Sequence, residues 1–347
     1  MALPGKSRMR GAVALRGRGP VRGHHWLQKL TQEQIVLIVT VILAGIFSAS
    51  LPGFATVSNL FTLLNSISVL GILALGAAVV IIGRGLDISQ IASMAVGAAV
   101  AAIMMQNGLS IGWALSVGLC VPIVIGLVNG LVIAFIEVPP LFATLATNLL
   151  MFGGARVFFI GSNYTIHVPD RAQSFLALGG NLGVIPVPVL VFLGLGVLVH
   201  LYLSRTRAGR LIYAHGDNAD AARVTGIAIR PLTVFEYVLS ALLAYVAGLV
   251  LMAMLSSIDT QIVMGTEIFS VILVVVLGGV SLVGGRGSVY SVMAGALLIG
   301  VLQSGMTRMN LGSDIQNVVR GIVLMGAIVL DNRLHPRDEE TARQGDD

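Results

Sequence analysis

Charge is what this chain has least of. Only 11% of its 347 residues are Asp, Glu, Lys or Arg, and 56% are hydrophobic, whereas an ordinary soluble domain carries about 25% charged residues. A soluble globular protein is excluded. The few charges also avoid the middle of the chain: residues 1–33 and 332–347 hold 16 of the 37, leaving 21 for the 298 residues between them. That middle has the composition of a membrane domain. Cysteine is almost absent, since Cys120 stands alone and an internal disulfide needs two. Inside an apolar run, a lone thiol behaves as a small hydrophobe and says nothing of the redox compartment.

Nucleotide and metal chemistry are short of residues as well. Gly5-Lys6-Ser7 looks like the end of a phosphate-binding loop, but the glycine five positions earlier that such a loop needs does not exist, and Lys29 is followed by Leu30. If the chain drives transport, the energy comes from a partner or an ion gradient. His24-His25 lacks further ligands, so no metal is expected. No Ser/His set, paired Asp or metal-ligand set lies deep in an apolar run, which argues against an intramembrane enzyme. The formal net charge of +5 is concentrated in the first thirty residues beside an apolar run, where lipid headgroups and topology account for it better than nucleic acid does.

What is present is a succession of continuous Leu/Val/Ile/Ala-rich runs. Crossing a hydrocarbon core of roughly 30 Å takes about 20 apolar residues, and the runs lack the alternating polarity of barrel strands. Spans are expected at 34–52, 61–82, 90–106, 110–135, 140–160, 187–204, 233–255, 267–284, 289–305 and 318–331. The fold class is therefore an all-α polytopic membrane protein of about ten transmembrane helices. With the N-terminus inside, 17 of the 21 Lys and Arg residues fall on inner segments, two (Arg171 and Arg308) on outer loops, and Arg156 and Arg320 within spans. This asymmetry places both termini in the cytoplasm. Residues 1–33 read as a disordered basic tail, 34–331 as the transmembrane domain and 332–347 as a second tail. The first span is read as an uncleaved helix rather than a secretory signal, because 35–51 is long for a signal's apolar region.

Two connections stand out. The outer loop 161–186 is polar, with several Gly and Pro, and suits an extracytoplasmic partner. The inner loop 205–230 carries Arg205, Arg207, Arg210, Arg223 and Arg230. Within it Asp217 or Asn218 can cap a short helix running to about Val224, and Gly226 can end it in a left-handed conformation.

Polar residues inside or beside the spans are the candidate site. Gly83-Arg84-Gly85-Leu86-Asp87-Ile88-Ser89-Gln90 breaks the helical pattern between the second and third spans. Asp87 is either a carboxylate at membrane depth, and so functional, or part of an inner turn, paired with Arg84 or capping the third span. Thr144, Thr147 and Asn148 share one helical face, which either lines a pathway or bonds a neighbouring helix. Glu236 falls within about a turn of its span's inner start, where an acid is cheap. Gly126 and Gly130 form a small-xxx-small pair of a kind too frequent in Gly-rich chains to assign a contact. The likeness of Gly83–Ser89 to Gly284–Ser288 reads as Gly-rich coincidence, not an internal repeat.

Several motifs, in order, resemble the membrane subunits of ribose-, arabinose- and xylose-type ABC sugar importers. Gly85-Leu86-Asp87-Ile88-Ser89 is similar to that family's Gly-Ile-Asp-Leu-Ser, and Pro139-Pro140-Leu141-Phe142-Ala143-Thr144-Leu145 to its Pro-Pro-Phe-x-x-Thr-Leu. Gly216-Asp217-Asn218-Ala219-Asp220-Ala221-Ala222-Arg223-Val224-Thr225-Gly226-Ile227 resembles its Gly-x-Asn-x-x-Ala-Ala-Arg-x-Ser-Gly-Ile. Residues 277–288 resemble its Gly-Gly-x-Ser-x-x-Gly-Gly-x-Gly-Ser, and Val319-Arg320-Gly321 opens the last span in a similar way. The departures are Gln90-Ile91, where the family tends to Val-Gly, and the charge of Arg84.

The resemblance implies a permease for a monosaccharide or polyol. It would pair with a second permease, engage a cytoplasmic ABC ATPase and receive sugar from an extracytoplasmic sugar-binding protein. Gly216, Asp217, Asn218, Asp220, Ala222, Arg223 and Gly226 would form the loop that couples to the ATPase, and Asp87, Ser89, Thr144 and Asn148 are the pathway candidates. Branched-chain amino acids and nucleosides remain alternative substrates. The rival from another class is an ion-coupled transporter, which needs ionisable groups at depth; only Arg156, Glu236, Glu267 and Arg320 come near, all close to span ends.

Overall fold

A computed structural model describes residues 31–161 and 163–334. The expected tails fall largely outside the described residues: all of 1–30, and 335–347. From Gln32 onward the chain forms one compact unit. It runs α1 (Gln32–Ser50), α2 (Val57–Ile82), α3 (Gln90–Gln106), α4 (Ile111–Phe135), α5 (Pro140–Ala155, continuing as one π turn, Arg156–Ile160), β1 (Thr165–His167), α6 (Gln173–Leu176), β2 (Asn181–Leu182), β3 (Ile185–Pro186) and α7 (Val187–Arg205). There follow α8 (Arg207–Asp217), α9 (Ala219–Val224), α10 (Ile229–Leu255), β4 (Ser257–Asp259), α11 (Glu267–Gly278), α12 (Val289–Arg308) and α13 (Ser313–Leu334). Each expected span contains a helix, though not always along its whole length. Among the described residues, seven helices are long and apolar enough to cross a membrane; α3 and α11 are apolar but shorter.

The differences lie at helix ends and have local causes. Residues 267–284 do not make one span, because α11 stops at Gly279, which takes φ +108°, a left-handed turn that glycine adopts without Cβ strain. Helix α10 begins at Ile229 rather than near residue 233. Glu236 therefore lies two turns inside it and is buried, a correction to the reading of Glu236 as a cheap interfacial acid. The loop 161–186, expected on the outer side, is not irregular throughout. Strand β1 pairs antiparallel with β4, and β2 with β3, while Ile166, Val168 and Phe175 join Met105 and Met252 in a buried apolar cluster over that end of the bundle.

Helices α2 and α3 form the centre. From Ile67 onward α2 is buried on every face but that of Leu70, as a helix apolar all round must be. Helix α10 packs along α4, α2 and α3, and small residues set the approach. A Cβ built on Gly126 or Gly130 would stand 2.6 Å or 2.5 Å from the Cα of Val238 or Val234, and one on Gly248 only 2.2 Å from the Met94 carbonyl oxygen. The Gly126/Gly130 pair, left unassigned from sequence, is thus the contact surface of α4 with α10. Apolar side chains on the perimeter, such as Val41, Trp113, Leu150 and Ile322, are two-thirds or more exposed. In water they would be an aggregation liability; in lipid they are at home.

Candidate functional site

The Arg-rich connections gather at one end of the bundle, and there the three strongest sequence motifs meet. The 83–90 break, the α8–α9 segment and the 279–288 loop are joined by short bonds: Gly285 N–H donates to the Ile82 carbonyl (2.8 Å), Arg84 Nε to the Val283 carbonyl (3.1 Å) and Tyr213 Oη to the Gly287 carbonyl (2.8 Å). The two Gly-rich stretches are therefore spatial neighbours. Arg84 ends α2 at φ +66°, a conformation that costs a non-glycine residue roughly 1–2 kcal/mol and that aims its guanidinium toward the 279–288 loop.

Helix α8 buries Gly209, Ile212 and Gly216 as a stripe on an otherwise polar helix, with Gly209 against the end of α7 and Gly216 against this corner. A Cβ on Gly216 would lie 1.8 Å from the Ile82 oxygen and 2.4 Å from the Gly285 nitrogen. The corner then turns at Asn218, whose Oδ1 accepts from the Ala221 N–H at 2.9 Å and caps α9. Gly226 follows at φ +80°, as the sequence predicts. Ala222 is buried, whereas Asp217, Asp220 and Arg223 are exposed. The eleven-residue α8 preceding this short helix was not anticipated. His215, on α8, is held below its ordinary pKa of 6.5, first by burial and then by the charges of Arg84 and Arg223. With Arg223, Arg230, Glu137 and Glu236, these groups line a cavity of about 740 Å³.

Asp87 lies deeper. It lies in the turn between α2 and α3 and is buried; among the described residues it makes no ion pair with Arg84 and no side chain caps α3, so neither role expected for it in such a turn is found. Its Oδ1 accepts from Ser89 Oγ (2.6 Å) and its Oδ2 from Ser240 Oγ (2.8 Å). Asn129 Nδ2 donates to Ser89 Oγ (2.7 Å), and Gln90 Nε2 donates to Ser240 Oγ and the Leu73 carbonyl, both at 3.0 Å. Four elements, α2, α3, α4 and α10, are thus tied by one buried polar cluster. Gly76 makes room for it, since a Cβ there would come within 2.5 Å of Gln90 Nε2. Gln90, one of the departures from the resembled family, is at its heart.

Thr144 Oγ1 donates to the Pro140 carbonyl (2.8 Å) and approaches the Leu86 carbonyl at 3.4 Å, beside Asp87. Asn148 is buried one turn further along α5, with its Oδ1 unpartnered. All four pathway candidates are closed off in this conformation. Ser240 and Asn129 went unnoticed in the sequence, although each is a lone polar residue in a long apolar run, and in a membrane such a group needs a partner.

A second cavity, of about 430 Å³, opens in the other half of the bundle, lined by Thr62, Asn65, Ser66, Gln303 and Glu267 above an apolar floor that includes Leu73 and Met94. Among the described residues no group of three or more His, Cys, Asp or Glu could hold a metal.

Residues 59–328 match the family model described as "Branched-chain amino acid transport system / permease component". The chain is 36% identical over 277 residues to the ribose import permease protein of Escherichia coli, covering 79% of this chain and 85% of that one. It is 30% identical over 303 residues to the autoinducer 2 import system permease protein of an Enterobacter species, covering 87% of each. To the fructose import permease protein of Bifidobacterium longum it is 30% identical over 286 residues, covering 78% and 80%. No solved structure matches.

Proposed function

From a chain that belongs to the membrane-permease family of ABC importers, we propose a subunit that carries a monosaccharide or polyol into a bacterial cytoplasm across the inner membrane. The relatives named above import ribose, fructose and autoinducer 2, which supports a sugar-like substrate. ATP is hydrolysed by a partner chain and substrate is delivered by an extracytoplasmic binding protein. A second permease, identical or not, completes the pathway. Ten crossings with both termini inside is the topology that the charge asymmetry favours.

The observation that carries the mechanism is the corner at the Arg-rich end. Helices α8 and α9 present Asp217, Asp220 and Arg223 outward while Gly216 fastens them to α2 and to the 279–288 loop. A push or pull on α8–α9 from the ATPase therefore reaches the end of α2 without an intervening flexible linker. Asp87, Ser89, Thr144 and Asn148 enter this proposal as groups that face the pathway only after the bundle rocks open; closed, Asp87 and Ser89 belong to the cluster that ties α2, α3, α4 and α10 together.

Affinity purification of the tagged chain from lightly crosslinked membranes, with mass spectrometry of what accompanies it, tests the proposal. Recovery of an ABC ATPase and a binding protein is the expected result, and the ligand of that binding protein then separates sugar from branched-chain amino acid. Recovery of the chain alone, when a known complex is captured in parallel, overturns it.

A further inference from the structure

We infer that the cavity lined by Thr62, Asn65, Ser66, Gln303 and Glu267 is a transit site for a monosaccharide, one that holds hydroxyl groups loosely on their way through. The inference rests on the sugar-importer reading and gives it a location. Thr62, Asn65 and Ser66 stand at helical spacing on one face of α2, which is buried almost throughout from Ile67 onward, yet Thr62 and Ser66 are exposed. Polar side chains open at membrane depth are tolerated only where they meet protein or line a water-filled cavity.

Much of the hydrogen-bonding capacity here is unspent, Thr62 excepted, whose Oγ1 donates to the Ser58 carbonyl at 3.1 Å. Asn65 Oδ1 is buried with no partner, neither Gln303 nor Ser66 has a side-chain hydrogen bond in the structure, and Glu267 meets only Arg320, at a long 3.9 Å. Two carboxamides, two hydroxyls and a carboxylate around an apolar floor are what a polyol requires: each sugar hydroxyl both donates and accepts, and so does each carboxamide. Weak neutral bonds also suit transit, since a site that bound tightly would stop flux.

Position supports the same assignment. The cavity follows α2 from Thr62 to Leu73, about 16 Å at 1.5 Å per residue, and ends on Leu73 and Met94. Immediately past that floor the Leu73 carbonyl accepts from Gln90, the first group of the buried Asp87 cluster. On the far side of the cluster, Tyr237 Oη approaches the Leu86 carbonyl at 3.4 Å, and Tyr237 lines the cavity at the Arg-rich end. Two cavities at opposite ends of the α2–α10 seam are thus separated by an apolar floor and a polar lock.

The test uses the whole importer, with its ATPase and binding protein, in proteoliposomes, following uptake of radiolabelled ribose, galactose and fructose beside ATP hydrolysis. Asn65→Leu and Gln303→Leu are expected to lower uptake at least tenfold while ATP hydrolysis stimulated by the loaded binding protein stays within twofold, and Asn65→Asp is expected to restore uptake. Unchanged uptake, or uptake and hydrolysis falling together, overturns the site. A second measurement avoids dependence on those variants: in a Cys120→Ser background, Ser66→Cys should react with a membrane-impermeant thiol reagent added outside, and the transported sugar should slow that reaction. A thiol that stays unmodified, or one that the sugar does not protect, overturns the assignment. If the unaltered importer takes up none of the three sugars with ATP, the importer reading itself fails, a result distinct from loss in the variants alone.

Discussion

Gly216 and Gly226 lie ten residues apart in one motif and are glycines for different reasons. Gly216 is a packing glycine, with backbone atoms of two other segments where its Cβ would be, and Gly226 is a conformational one, at φ +80° with nothing within 4 Å. Gly216→Ala is expected to push α8 off its corner, costing about 2–4 kcal/mol by overpacking and abolishing co-purification of the ATPase. Gly226→Ala should cost only the left-handed penalty, about 1–2 kcal/mol, and retain the partner. Thermal unfolding in detergent, with pull-down of the ATPase, reads both. Sequence shows Gly226, because a capped helix needs an end nearby; it cannot show Gly216, because the obstacle is contributed by Ile82 and Gly285. Asp87 is similar. Its partner Ser240 lies 153 positions away, so the spacing that suggested Arg84 pointed to the wrong neighbour.

Helix α8 is the element whose docking depends on pH. The free chain's His215 has its ordinary pKa near 6.5 and the docked one titrates lower, so above 6.5 both are neutral and docking is unaffected. As pH falls through that value the undocked form takes a proton that the docked form resists, and the docked state loses stability. Amide exchange along α8, corrected for intrinsic rates, is expected to quicken between pH 7.5 and 5.5, and His215→Gln to remove the effect. Asn218 sets the next corner. Asn218→Ala should cost about 1 kcal/mol of helix capping and lower binding-protein-stimulated ATP hydrolysis in the assembled importer more than it lowers assembly. The capping residue was legible because it acts on its own next turn; α8 was not, because much of its stability comes from the surface it covers.

For the whole molecule the testable quantity is sidedness. In a Cys120→Ser background, Asp170→Cys should react with an impermeant thiol reagent in intact cells, and Asp220→Cys only after permeabilisation. Reaction at Asp220→Cys from outside would reverse the topology and remove the coupling role of α8–α9.

The sequence by itself determined that this is a helical membrane protein, where its apolar runs form helices and which connections carry the basic charge. Those properties depend on composition and on residues within a turn or two of each other. Tertiary structure alone decided that Asp87 bonds to two serines, that Glu236 is buried, that Gly126 and Gly130 seat α4 on α10, and that a cavity with polar side chains on an apolar floor opens beside α2. Each of these depends on which helix faces which. In an apolar bundle nearly every face is apolar, so the hydrophobic pattern that locates the helices carries little information about their neighbours.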